Sequence, residues 1–412
     1  MKHWIFLFLF LPCGVRSLGA VPLETVLIEV EAANPGLAAL RAEARALAAE
    51  ARARGTWPDP EVGRAWEKTP AGDRMTHWRT SQTVPFPGKK SLEAAVARQG
   101  ARAADAGVRQ QALALRAEAR ALAARVARGD AVIARWTEQR DLVSGLMASL
   151  RGRVAGVRGG METGGGPVLD LYALEAERGR MDNMIRMERL ERDTALFRLN
   201  TLAGRPSTSP WSIEPSPLDE PPTVAVLLER AGRENPALAA ARARARGGDL
   251  EKTRARLDWA PDIGLMWDEQ RMDDSRGREA GVSLMLPLWG APRGGNRTAG
   301  ARTAAVEAER AAMQNEVARE VRTEHAEVRT RLDAVRSYER DILPASRSAL
   351  ALTRRQYEAG RADFLRMLEA LRSASQAEVE HQDALHEYAR HWGMLEVAAG
   401  APLDPLPTGD RR

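Results

Sequence analysis

Landmarks in the first half of the chain return in the same order about 200 residues later, so the fold must hold two copies of one unit. Asn34-Pro35-Gly36-Leu37 recurs as Asn235-Pro236-Ala237-Leu238, each opening an Ala/Arg-rich stretch. Proline suits the first turn of a helix, where the N–H it lacks would be unpaired anyway. Trp57-Pro58-Asp59-Pro60 recurs as Trp259-Ala260-Pro261-Asp262 and closes that helix. Val84-Pro85-Phe86-Pro87-Gly88 recurs as Leu286-Pro287-Leu288-Trp289-Gly290 and precedes the next helix. The expected unit is helix, two strands, long helix, turn, returning helix. It occupies residues 21–204 and again 223–400, with a Pro- and Ser-rich linker at 205–222 and a tail at 401–412.

Residues 1–20 read as a secretory signal: Lys2 is the positive start, and the apolar run from Trp4 to Leu11 is too short to span a bilayer. The only cysteine, Cys13, falls in this leader. Cleavage after Ser17 or Ala20 removes it and leaves no disulfide, thiol nucleophile or Cys-based metal site. Lipidation of Cys13 is the alternative, although Phe10-Leu11-Pro12 fits the required motif poorly.

Between the Trp and Pro-Gly landmarks the pattern changes from helical to alternating. Ala280, Val282, Leu284, Leu286 and Leu288 fall on one face, and Gly281, Ser283 and Met285 on the other. Ile263, Leu265 and Trp267 alternate in the partner strand; the first copy is weaker, with Val62, Arg64 and Trp66 opposite Thr76, Trp78, Thr80, Gln82 and Val84. Strands of about 9–11 residues have the length a tilted strand needs to cross a bilayer. Trp66, Trp78, Trp267 and Trp289 lie near strand ends, where interfacial aromatic girdles sit. Two soluble hairpins packed on helices explain the same strands. Beyond the leader no run of about 18 apolar residues exists, so any membrane crossing must use strands. Four strands cannot close a barrel, for which about eight are needed. In lipid an open sheet would leave edge N–H and C=O groups unpaired. Closure then requires other copies of the chain, and three copies make twelve strands.

The rest reads as long, narrow-seamed helices. No proline interrupts 89–157, where Val108, Leu115 and Leu122, then Trp136, Val143, Leu150 and Val157, repeat at seven. In the second copy Val321, Val328, Val335 and Ile342 repeat at seven, and Pro344 predicts a kink. Return helices are expected at 170–202 and 363–397, the latter with a core stripe of Leu385, Tyr388, Trp392 and Leu395. Hollow helical rings and solid coiled-coil rods both satisfy such seams.

The composition excludes several functions. The 61 basic residues face 56 acidic ones, and no block of like charge marks a nucleic-acid surface. His381, His386 and His391 stand five apart and share no helix face, so they make a poor zinc site. No hydrolase, metalloprotease or phosphate-loop pattern occurs, so neither catalysis nor a cofactor is expected. Met266, Met272 and Met285 suggest soft-metal handling, with packing the favoured reading.

Taken in order, these landmarks resemble the TolC-like outer-membrane efflux protein family over nearly the whole mature chain. The resemblance rests on both Asn-Pro-x-Leu helix starts, on the segment from Ser81 to Lys89, on Leu199-Asn200-Thr201-Leu202-Ala203-Gly204, and on Leu343-Pro344 with Tyr357-Glu358-Ala359-Gly360. It implies a mainly α fold with a small transmembrane β part: a trimer sharing a twelve-stranded β-barrel in the Gram-negative outer membrane, continued by a coiled-coil α-helical barrel across the periplasm. Pro85, Gly88, Pro287 and Gly290 then mark the boundary between barrel and helices. The family's ducts are passive and export drugs or metal ions. They take substrate from an inner-membrane transporter of RND or ABC type through a periplasmic adaptor (membrane fusion) protein. By the same resemblance the turns bearing Gly166 and Asp170, and Gly360 and Asp363, are the periplasmic tip that meets the adaptor and constricts the entrance. The two aspartates either form carboxylate rings in a trimer or cap their return helices. The rival expectation is a periplasmic coiled-coil adaptor, disfavoured because adaptors usually carry one helical hairpin and this chain has two.

Overall fold

The computed structural model describes residues 21–68, 74–156, 166–214, 218–272, 275–287, 291–359 and 361–403. The leader with Cys13, the coiled-coil turn at 157–165, the strand turns at 69–73 and 273–274, Trp289, Gly290, Gly360 and the tail beyond 403 lie outside them. The elements in order are α1 (Leu23–Ala33), α2 (Pro35–Ala53), β1 (Glu61–Lys68), β2 (Arg74–Val84), α3 (Lys89–Gly156), α4 (Gly166–Leu202), α5 (Val224–Glu234), α6 (Pro236–Arg256), β3 (Asp262–Met272), β4 (Ser275–Met285), α7 (Ala291–Ser337), α8 (Leu343–Glu358) and α9 (Phe364–Ala399). Helix, two strands, long helix thus occurs twice. Among the described residues no helix is long and apolar enough to cross a membrane.

The chain forms two compact units that each draw on both halves of the sequence. One comprises the described residues of 33–118, 219–337 and 390–412 and holds all four strands seen among them. Its helices start where the Asn-Pro landmarks stand. Asn34 accepts the N–H of Leu37 at 2.9 Å, and Asn235 accepts those of Ala237 and Leu238 at 2.9 and 3.2 Å. Asn235 also donates from Nδ2 to the Ala398 carbonyl at 2.8 Å, so one cap fastens the end of α9 to the start of α6. Ala103 and Ala106 of α3 pack on Ala240 and Ala243 of α6, where small side chains let helices approach closely. Val321, Val328 and Val335 are fully buried as the seven-residue repeat expects.

The other unit comprises the described residues of 1–32, 119–218 and 338–389. Its core joins Val143, Met147 and Leu150 of α3, Leu174 and Met181 of α4, and Phe364, Leu368 and Leu371 of α9, with Leu350 and Tyr357 of α8 against them. The seam expected at Ile342 is displaced. Tyr338–Ile342 is a π-turn before Pro344, and its wider turn shifts the register by one residue, exposing Ile342 and burying Leu343. The three histidines of α9 meet different acids: His381 lies 3.4 Å from Glu339, His386 3.4 Å from Glu387, and Glu324 accepts from His391 Nδ1 at 2.8 Å.

Glycines in α3 do not break it, and one has a packing role. A Cβ on Gly129 would lie 2.6 Å from Cβ of Arg192 on α4, whereas one on Gly145 meets nothing within 4 Å. Replacing glycine by alanine inside a helix gains about 1 kcal/mol in propensity, against about 1–3 kcal/mol for forced overpacking. Gly145→Ala is therefore expected to raise the melting temperature of the purified protein and Gly129→Ala to lower it, in paired thermal melts followed by circular dichroism.

Candidate functional site

The four strands form one antiparallel sheet in the order β1-β2-β3-β4. Pairing of β2 with β3 joins the hairpin of the first repeat to that of the second. The register sorts every side chain onto one of two faces. On the first face, Val84, Ile263 and Leu284 form one row, Gln82, Leu265 and Val282 the next, and Val62, Thr80, Trp267 and Ala280 a third. This face is apolar and uncovered: Leu265 is 44% exposed and Val282 73%. Burying a side chain of this kind is worth about 1.5–3 kcal/mol, so a chain acting in water would not leave a contiguous set of them bare.

The second face is polar and small. Gly63, Gly264, Gly277 and Gly281 lie here with Ser81, Thr83, Ser283 and the charged row Arg79, Asp268 and Glu279. Asp268 is buried and accepts from Arg79 at 3.1 Å, with His77 at 3.8 Å. Met266, Met272 and Met285 share this face, Met266 packing over Gly281. Among the described residues no group of three metal-capable side chains comes together. One apolar face and one polar face is the alternation of a sheet between lipid and water.

The sheet's two edge strands, β1 and β4, have no partner strand on their outer sides among the described residues. An eleven-residue antiparallel edge such as β4 directs about ten backbone polar groups outward. In hydrocarbon each would cost several kcal/mol.

Pro85 and Gly88 lie between β2 and α3, and Pro287 follows β4; Gly290 is outside the described residues. Gly88 has φ +98°, a turn that only glycine adopts without strain. Lys89 and Asp262, not singled out from sequence, clamp this boundary. Lys89 Nζ donates to Asp262 Oδ1 at 2.9 Å and to the Ala260 carbonyl at 2.8 Å, and Asp262 also accepts the Phe86 N–H at 2.8 Å. Their signal was the paired Gly-Lys and Pro-Asp landmarks. Trp66, Trp78 and Trp267 all stand on the apolar face, with the Arg64 guanidinium 5.2 Å from the Trp78 ring centre; Trp289 is outside the described residues.

In the other unit, Gly166 is the first residue of α4 and Asp170 stands one turn in, so it is not the N-cap. Asp363 precedes α9, and its carboxylate accepts the Arg366 N–H at 2.8 Å. Gly360 lies outside the described residues. Close to these helix starts Val168, Leu169, Tyr172 and Leu365 are exposed. Further along α4, Met187, Leu190 and Phe197 are exposed at helical spacing, a second apolar seam beside the buried one of Leu174, Met181, Ile185 and Leu199.

Charged pairs hold these hairpins in register. Burial pushes the Glu177 carboxyl upward, but hydrogen bonds and charge from Arg372 and Arg180 outweigh it and hold it below the usual glutamate range. The pair's stabilisation is complete above the unfolded-chain pKa of about 4.3 and is lost as pH falls through Glu177's own lower value. Glu177→Gln should cost about 1–3 kcal/mol near neutrality, shrinking to nothing in strong acid, in unfolding titrations of both proteins at neutral and acid pH.

A sequence model of the family described as outer membrane efflux protein matches residues 227–401. No curated protein sequence matches the chain. Solved structures do. A membrane protein from Pseudomonas aeruginosa superposes with a TM-score of 0.79 at 20% identity, covering 92% of this chain and 93% of that one. The outer membrane protein VceC of Vibrio cholerae superposes at 0.76 and 17% identity, covering 93% and 97%. The outer membrane channel MtrE of Neisseria gonorrhoeae, solved in an open state, superposes at 0.72 and 18% identity, covering 92% and 89%. At such identities the likeness establishes the fold.

Proposed function

We infer that this chain is the outer-membrane duct of a tripartite efflux system, a passive channel formed by three copies, a reading supported by the outer membrane efflux protein model that matches residues 227–401. The observation that carries this reading is the open four-stranded sheet with one bare apolar face and one polar face. Lipid covers the apolar face; strands of neighbouring subunits pair with β1 and β4. Two copies would give eight strands, a barrel about filled by its own side chains, and three give twelve, enough for an aqueous lumen. The polar face of Gly, Ser, Thr and charged residues lines that lumen. Of the expected interfacial aromatics, Trp66 near the end of β1 and Trp289 serve as anchors, whereas Trp78 and Trp267 stand mid-strand and face the lipid interior; Pro85, Gly88, Pro287 and Gly290 turn the wall from strands to helices. The exposed seam of Met187, Leu190 and Phe197 supports helix packing against a neighbouring subunit.

The turns carrying Gly166, Asp170, Gly360 and Asp363 are the periplasmic aperture and adaptor contact in this reading. The exposed Val168, Leu169, Tyr172 and Leu365 supply apolar anchors for an adaptor. Energy for export comes from the inner-membrane transporter, so the duct itself needs no catalytic group. Purified protein reconstituted in a planar bilayer should give discrete single-channel conductance steps; a membrane-inserted protein without conductance overturns the proposal.

A further inference from the structure

The apolar face of the sheet changes character toward the hairpin turns. Beyond the Val62–Thr80–Trp267–Ala280 row come Arg64, Trp78, Glu269 and Arg278, then Trp66, Thr76, Arg271 and Arg276, and last Lys68 beside Arg74. Among the described residues this end of the face holds six basic side chains and one acid, Glu269, which pairs with Arg271 at 3.2 Å. All six basic residues are exposed. The opposite face at the same level carries Glu67, Asp268 and Glu279 against Arg79 and His77. The excess is therefore a property of one face, not of the strands' composition.

Its position is set by the chain path. β1 and β3 enter from helices and β2 and β4 leave toward helices, so the basic rows lie at the ends remote from them. Arg271 stands eight residues beyond Ile263, about 27 Å along an extended strand. A strand tilted by about 40° carries it about 21 Å along the membrane normal, so its long side chain reaches the far interface of a hydrocarbon layer about 25 Å tall. Arginine there extends its apolar stem along the sheet and its guanidinium into the headgroups. Trp66, interleaved with the arginines, fits the same layer.

Resting on the duct reading, which makes the remote leaflet the outer one, we propose that this face binds the phosphate groups of outer-leaflet lipid through Arg64, Arg271, Arg276 and Arg278. Phosphate-bearing glycolipid satisfies both halves of the surface: acyl chains on the Leu265 and Val282 rows, phosphates on the arginines. The test is native mass spectrometry of the full-length protein in detergent, titrated with lipid A or with lipid A stripped of both phosphates. Lipid A is expected to bind at least tenfold more tightly than the stripped form. Arg271→Gln/Arg276→Gln/Arg278→Gln should lose at least tenfold in affinity, and the corresponding lysine triple variant should retain binding within about threefold. Equal binding of the two lipids, or an unchanged glutamine variant, overturns the assignment. So does displacement of lipid A by inorganic phosphate at concentrations equal to the lipid's own, which would mark a free-phosphate site. Should the glutamine variant fail to assemble, the two lipids on wild-type protein decide alone. Conductance separates the layers of the argument: wild type that conducts without discriminating the lipids sinks this inference and leaves the duct standing.

Discussion

Leu265→Arg is expected to abolish assembly of the protein in the outer membrane. Leu265 lies mid-sheet between Gln82 and Val282, on the face opposite Met266. An arginine facing lipid costs about 2–4 kcal/mol at the bilayer midplane and about 0–1 kcal/mol near the interfaces, and Leu265, two residues inside Ile263, lies between these limits at about 1–3 kcal/mol per barrel site. A three-subunit wall presents the substitution three times, or roughly 3–9 kcal/mol, a large part of a whole domain's stability of about 5–15 kcal/mol. Thr83→Arg is the control, because Thr83 stands on the polar face in the row of Gly264 and Ser283. There the new charge meets water, so assembly should persist while conductance and ion selectivity change. Heat-modifiable oligomer in outer-membrane fractions, compared on gels for the two variants, checks both outcomes. Normal insertion of Leu265→Arg would mean that this face does not meet lipid.

Gly400→Ala is expected to be the most damaging single-methyl change in the helical part. Gly400 ends α9 with φ +84°, and a Cβ there would lie 2.3 Å from Cα and 2.7 Å from N of Asn235. No side-chain rotation relieves a clash with backbone. Strain of the left-handed conformation adds about 1–2 kcal/mol, and overpacking about 1–3 kcal/mol or more. The same displacement breaks the Asn235 bond to Ala398. A loss of about 3–5 kcal/mol should appear as a large fall in the unfolding midpoint, and as protease sensitivity confined to the C-terminal end of α9. Asn235→Ala, which removes the bond without a clash, should cost about 1–3 kcal/mol.

Periodicity carried most of the architecture because each helix and strand here has a nearly constant environment along its length. Val321, Val328 and Val335 stay buried turn after turn, and Ile263, Leu265 and Trp267 stay on one face. The repeat failed at Ile342, where a π-turn inserts one residue into the register; seven-residue spacing carries no sign of a locally widened turn. Asn235 was readable as a helix start, yet its bond to Ala398 joins residues 163 apart, and no local pattern reports that. The Lys89–Asp262 clamp was hidden for the same reason, although both residues stood in landmarks already noted. The basic end of the outward face became visible only when four strands were placed in register, since Arg64, Arg271, Arg276 and Arg278 come from three strands of two repeats. The tip aspartates diverged because helix ends are set by turn geometry: Asp363 caps α9, while α4 starts four residues ahead of Asp170.

The central claim is that four strands per chain do not seal a wall and that identical chains share one. Light scattering of the detergent-extracted protein, corrected for bound detergent, measures this directly. The account predicts a particle whose protein mass is three times that of one processed chain, the unprocessed chain being 45.1 kDa. A monodisperse particle with the mass of a single chain would contradict it.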